Sequence, residues 1–193
     1  MLIPALIVLG IIFLWVIGTY NFFVTAKTRI KASVQEIGNQ LKRQADLIPN
    51  LEASVKGYLK HEKAIFEALT EARRAIAGAI KSGNAQKMAD AGSKLSSIIP
   101  NIQIAVESNP ELKSSEVVGK LMDELRDTAD KLMYARRIVI DLTADYNVKR
   151  VTLPSNIVAN LFKFTELPGL IAEQEGEHLK VSQGEMKAPK VNL

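Results

Sequence analysis

YNFFVTAKTRIKASVQEIGNQLKRQADLIPNLEASVKGY (20–58) joins two chemically different parts of the chain. Upstream of it, residues 1–26 carry no charged side chain, and 2–20 is apolar almost throughout, interrupted by Pro4, Gly10 and Gly18. About 20 apolar residues rising about 1.5 Å each cross a bilayer. The pattern therefore predicts a transmembrane anchor over 1–26. A cleaved leader is the competing reading, but no Lys or Arg precedes the apolar run and no convincing small-x-small cleavage site follows it. Pro4 falls in the first helical turn, where its missing N–H costs little. Trp15 and Tyr20 lie toward the exit side of the span, the position of a membrane-interface aromatic. The first charges, Lys27, Arg29 and Lys31, all follow the span. The positive-inside rule then predicts a single-pass protein of the cell (inner) membrane, with a short N-terminus outside and the body in the cytoplasm.

Downstream, Ile30, Val34, Ile37, Leu41 and Ile48 form a heptad seam with Gln44 filling the gap between the last two, and charges occupy the other faces. No Gly or Pro falls in 20–29, so the seam predicts a helix over 27–48 that continues the anchor as one rod. Pro49 disfavours helical geometry at Ile48 and lacks a donor, which marks a break with Asn50 as the next cap. A second helix is predicted over 51–81, with the seam Leu51, Val55, Tyr58, Glu62, Ile65, Leu69, Ala72, Ile76 and Ala79. Ser82-Gly83-Asn84 supplies a stop and a new cap. The third helix, 84–108, presents Met88, Ala91, Leu95, Ile98, Ile102 and Ala105, and Pro100 predicts a kink or two pieces. Asn109-Pro110 is a turn, and Ser114 or Ser115 caps a fourth helix over 115–149 whose seam runs from Val118 to Tyr146.

Four such helices with short connections predict an all-α fold: the N-terminal transmembrane helix continues into an up-and-down four-helix bundle spanning 27–170. If each helix reverses, the fourth returns to the bilayer. There LPSNIVANLFKFTELPGL (153–170) predicts a short helix at 155–165. Its Ile157, Leu161, Phe162 and Phe164 either lie on the membrane surface or close the bundle end. The tail, 171–193, is rich in Glu, Lys and Gln with Gly and Pro, a composition that predicts disorder.

Glu62 is the only charge in the second seam, and a buried carboxylate needs a partner. Arg43, Arg73 and Arg136 are the candidates. The resulting polar layer would fix helix register, or the carboxylate would handle a proton. Other chemistry is sparse. The net charge is +4, with Lys and Arg mostly alternating with Asp and Glu, and there is no basic stripe interleaved with aromatics to suggest nucleic acid. Cysteine is absent, which excludes disulfides and cysteine nucleophiles. His61 and His178 are too few and too separated for a metal cluster or a Ser-His-Asp arrangement. GAIKSG (78–83) imitates the start of a phosphate loop, but Asn84-Ala85 stands where Lys and Ser or Thr are required. No cofactor is expected.

YNFFV (20–24), QLKRQADLIPNL (40–51), VKGYLKHE (55–62), EARRAI (71–76), NPELKSS (109–115), LRDTADKLMYARR (125–137), DYN (145–147) and LPSNIVANLFKF (153–164) together resemble the LemA family, across nearly the whole chain outside the tail. The resemblance implies an N-terminal membrane helix, a short exterior N-terminus and a helical-bundle body, and it brings no established biochemical activity. Two positions depart from the family pattern: Ile138-Val139 stands where a Tyr-Asn pair is frequent, and Leu153 where a Phe often precedes Pro-Ser-Asn.

The functional expectation is a non-enzymatic, membrane-anchored helical scaffold or adaptor. Asp46, Asn50, Asn109 and Lys113 are its candidate partner surface at the distal turns. Its partners would be the lipid bilayer and an unidentified membrane or cytoplasmic protein, or further copies of itself. The alternatives are a membrane-shaping oligomer and, from another class, an enzyme or proton-handling protein centred on Glu62.

Overall fold

The computed structural model describes residues 2–58 and 62–171, and the tail from 172 onward, expected to be disordered, lies outside the described residues, as do His61 and His178. Among the described residues six helices follow in order: α1 (Leu2–Val55), α2 (Lys63–Ser82), α3 (Ala85–Glu107), α4 (Pro110–Lys113), α5 (Glu116–Val151) and α6 (Ser155–Leu161). Among the described residues there is no strand. α1 and α5 pack along each other over the greatest length, and α2 and α3 form a hairpin against them.

The expected break at Pro49 does not occur, because α1 runs through it to Val55. The seam explains why. Ile48, Leu51 and Val55 keep the three-and-four spacing across the proline, and all three are buried. An interior proline costs about 3 kcal/mol, while burying Leu51 and Val55 returns about 1.5–3 kcal/mol each. Packing therefore outweighs local geometry. Asn50 is accordingly an exposed helical residue, not a cap, and its carbonyl accepts from Ser54 Oγ at 2.8 Å. The reversal falls instead beyond Val55, and Tyr58 and Glu62, expected in the seam, are exposed. Pro100 likewise lies inside an undivided α3.

The remaining helix ends follow local chemistry. Gly83 closes α2 in the left-handed region at φ 64°, and its N–H donates to the Ile80 carbonyl. Asn84 accepts from Lys87 N–H at 2.9 Å to start α3. Asn109 accepts from the N–H groups of Glu111 and Leu112, with Pro110 beginning α4, and Ser115 caps α5.

Moving the first turn lengthens α1 at the expense of α2. At about 1.5 Å per residue α5 spans about 54 Å, while α2 and α3 span only about 30 and 35 Å. The four-helix section therefore occupies the distal part of the molecule. Nearer the apolar end, where the α2–α3 hairpin has stopped, α6 and the chain after it lie beside α1 and α5 instead.

The distal core gathers Ile37, Leu41, Ile48, Leu69, Ile76, Leu95, Ile102, Leu125 and Leu132. Gln44 sits among the buried positions at 0% exposure. Neither its Oε1 nor its Nε2 has a partner. A buried amide left unpaired costs about 1–3 kcal/mol. Gln44→Leu should therefore raise the thermal midpoint of the full chain in detergent, by an amount equivalent to about 1–3 kcal/mol. An unchanged or lower midpoint would show that the amide has a partner in solution.

Candidate functional site

The polar layer centred on Glu62 does not form. Glu62 is exposed at the start of α2 and makes no side-chain capping bond. Arg43 pairs across α1 and α5 with Glu124 at 3.7 Å, both side chains being about half exposed (49% and 51%). Arg136 donates to Ser93 Oγ at 2.7 Å, and Arg73 is exposed. The physical reason is the shifted turn, which removes Glu62 from the seam and leaves Gln44 as a buried polar side chain in its place. Elsewhere on the hairpin, Lys94 reaches Glu71 at 2.9 Å and holds that carboxyl below its usual range. Among the described residues no cluster of His, Asp or Glu could hold a metal ion.

The candidate partner surface is dispersed. Asp46 and Asn50 are exposed on the body of α1, Lys113 is exposed at the end of α4, and the Asn109 side chain is engaged as the α4 cap. A shallow groove of about 900 Å³ lies on the α1–α2 side of the distal end, lined by Pro49, Glu52, Ala53, Lys56, Gly57, Phe66 and Thr70.

Of the residues expected at a membrane interface, Tyr20, Phe162 and Phe164 come together, and Trp15 lines the neighbouring cleft with Leu153. After α5, Ser155 Oγ donates to the Lys149 carbonyl at 2.6 Å and to the Thr152 carbonyl at 3.0 Å, turning the chain into α6. α6 is shorter than expected, ending at Leu161. Its end is a Schellman arrangement: Lys163 takes a left-handed φ of 56°, and Phe164 N–H donates back to the Ala159 carbonyl at 2.9 Å. The contact that completes this motif is apolar, since Phe164 packs in the cluster that holds Ala159, Phe23, Ala26 and Tyr146.

Six aromatic rings meet here. Phe23, fully buried, stacks on Phe164 at 4.8 Å and meets Tyr146 edge-on at 5.3 Å. Tyr20 meets Phe162 edge-on at 4.8 Å and Phe164 at 5.6 Å. Phe22 lies beside Phe23 and under the Lys149 ammonium, which is 4.4 Å from the ring centre. Edge-on and offset pairs of this kind add about 0.5–1.5 kcal/mol each beyond burial. With Val158 and Ala159 turned inward, Ile157 (61% exposed), Leu161 (69%) and Phe162 (46%) face out. Both expected roles of α6 thus find residues: the inner face closes the bundle end, and the outer face prolongs the exposed apolar surface of α1.

Residues 163–171 then run back along the bundle as an extended strap. Tyr146 donates its hydroxyl to the Thr165 carbonyl at 3.0 Å. Burial raises the phenol above its ordinary range, opposed by the nearby Arg150 charge. Asn147 holds both backbone groups of Leu167, accepting from its N–H at 3.1 Å and donating to its carbonyl at 2.8 Å. Gln86 does the same for Ile171, at 2.8 and 3.0 Å. Each side-chain amide stands where a neighbouring strand would put a peptide group. Asn147 and Gln86 escape sequence reading because an amide on a helix flank has no periodic signature.

No curated protein matches the chain. A family model described as the LemA family matches residues 33–183, which takes in the bundle, α6 and the strap but not the exposed apolar half of α1.

Proposed function

From a chain that belongs to the LemA family and whose first helix is long and apolar enough to cross a membrane, we propose that the protein is a single-pass, membrane-anchored, non-enzymatic helical scaffold. The supporting observation is continuity. The exposed apolar side chains of α1, from Leu2 to Ile17, run without a helix break into the bundle, and the outward residues of α6 extend the same surface sideways at Tyr20. A soluble protein rarely exposes an apolar area of this extent. Water-facing Leu, Ile and Phe on this scale are satisfied by lipid.

In this reading the bilayer covers α1 as far as Tyr20, and Ile157, Leu161 and Phe162 rest on its surface. Lys27, Arg29 and Lys31 mark the cytoplasmic side. The bundle carries its distal turns up to about 50 Å from the lipid, where a partner protein or a second copy docks near Lys113. One experiment separates these partners. A photoreactive residue replaces Lys113, membranes holding the full chain are washed at alkaline pH, and the washed membranes are irradiated. We expect the chain to stay in the pellet and to give one discrete crosslinked band to another protein. A ladder of self-crosslinked bands would favour the membrane-shaping oligomer instead, and release into the wash would overturn the anchor.

A further inference from the structure

Between α1 and the α5–α6 corner lies a cleft of about 540 Å³ lined by Trp15, Thr19 and Phe22 on one wall and by Asp145, Val148, Lys149, Thr152 and 153–155 on the other. Its groups are sorted by depth. Along α1 the order from the apolar end is Trp15, Thr19, Phe22. α5 runs the opposite way, so its order from the same end is Thr152, Lys149, Asp145. Trp15 and Leu153 supply the apolar end of the cleft, and Thr19, Thr152 and Ser155 lie at the same end, the last two with their hydroxyls donated to backbone carbonyls. Lys149 comes next, over the Phe22 ring. Asp145 lies one helical turn further out, about 6 Å along the axis.

Among the described residues neither Lys149 nor Asp145 forms an ion pair, although they stand four residues apart on one helix, a spacing that commonly pairs such charges. Lys149 is directed to the ring of Phe22. Arg29 shares a second, smaller cleft with Asp145, of about 320 Å³, but makes no ion pair with it. Reading outward, the cleft offers apolar surface, a cation and then an anion. A phospholipid whose headgroup ends in a primary ammonium presents the complementary series: acyl chain, phosphate, ammonium.

We infer that this cleft seats one molecule of phosphatidylethanolamine from the bilayer, with Lys149 on the phosphate and Asp145 on the ammonium. The inference rests on the anchoring proposed above. Charge-assisted hydrogen bonds carry the selectivity. An anionic headgroup such as phosphatidylglycerol leaves Asp145 without a cation. Phosphatidylcholine presents a quaternary ammonium, which has no N–H to donate. The seated lipid would fill the space beside Trp15 and join α6 to the anchor.

The test uses the full chain in nanodiscs containing equal phosphatidylethanolamine, phosphatidylglycerol and phosphatidylcholine, released into mild detergent and weighed by native mass spectrometry. One retained phosphatidylethanolamine per chain is expected. Lys149→Ala should lower its occupancy about tenfold, with Lys149→Arg restoring most of it. Asp145→Asn should shift the ethanolamine-to-glycerol ratio about tenfold toward phosphatidylglycerol. Neither side chain belongs to the buried core, so helical circular dichroism should be unchanged in all three variants. An embedded chain that retains lipids in the proportions of the disc, or an Asp145→Asn variant with an unshifted ratio, overturns the site while leaving the anchor intact. A chain that never enters the discs overturns the anchor itself and the site with it.

Discussion

Phe23→Ala will detach the apolar end of the bundle from its strap while leaving the distal section folded. Phe23 has no solvent exposure and touches three other rings, those of Phe22, Tyr146 and Phe164. Truncating a buried Phe costs about 3–5 kcal/mol, and little else fastens this region. Residues 155–171 are tied down by the aromatic cluster, by the Tyr146, Asn147 and Gln86 hydrogen bonds and by the Arg150–Glu166 pair at 2.9 Å. The distal core is a second cluster of buried side chains, touched from the strap by Leu170 and sharing Ile30 at its edge. Loss should therefore be local. In the full chain, amide hydrogen exchange across 155–171 should rise by about two to three and a half orders of magnitude, given about 1.4 kcal/mol per factor of ten, while α3 keeps its protection. Trp15, the only tryptophan, lines the cleft with Leu153 and Ser155, so its fluorescence should change in parallel. Uniform loss of protection along the chain would show that the two clusters unfold as one.

Gly92→Leu should be the most damaging single change in the distal section. A Cβ built at Gly92 collides with Leu132 Cδ2 and comes within 3.3 Å of Leu41 Cδ2, because α3 crosses both long helices at that point. Leu132 and Leu41 are themselves buried and have nowhere to retreat. Overpacking usually costs about 1–3 kcal/mol, and a whole isobutyl group at a helix crossing belongs at or above the upper end. The thermal midpoint of the detergent-solubilised chain should fall accordingly. Gly38 supplies the control. A Cβ there meets only Met88, at 3.8 Å. Gly38→Ala in a helix interior should therefore stabilise by up to about 1 kcal/mol. Equal effects at the two glycines would mean that helix propensity, and not the crossing, governs both.

The seams were legible. Ile37, Leu41, Leu69, Ile76, Leu95, Ile102, Leu125 and Leu132 are buried as their spacing requires, and Gly83, Asn84 and Ser115 end and begin helices as their chemistry requires, whereas Asn109-Pro110, expected as a turn, opens the short helix α4. The first turn was misplaced because Pro49 is a strong local signal that two buried side chains further along outweigh. That one error moved Glu62 out of the core and dissolved the polar layer built on it. That the 153–164 segment meets α1 was legible because its aromatic residues stand close together in the sequence, as in Phe162 and Phe164. What could not be read were groups placed by tertiary geometry alone: the Asn147 and Gln86 clasps, reaching 20 and 85 residues along the chain, and the alignment of Lys149 with Phe22.

The unbroken course of α1 through Pro49 makes it a lever. Membrane helices tilt by about 20° on average, and by different amounts in bilayers of different thickness. With some 35 residues, about 50 Å, beyond Tyr20, a change in tilt of about 10° swings the distal turns sideways by about 9 Å. With the apolar end of α1 anchored as proposed, and without a hinge to absorb the rotation, the thickness of the lipid would be transmitted as a displacement at the far tip.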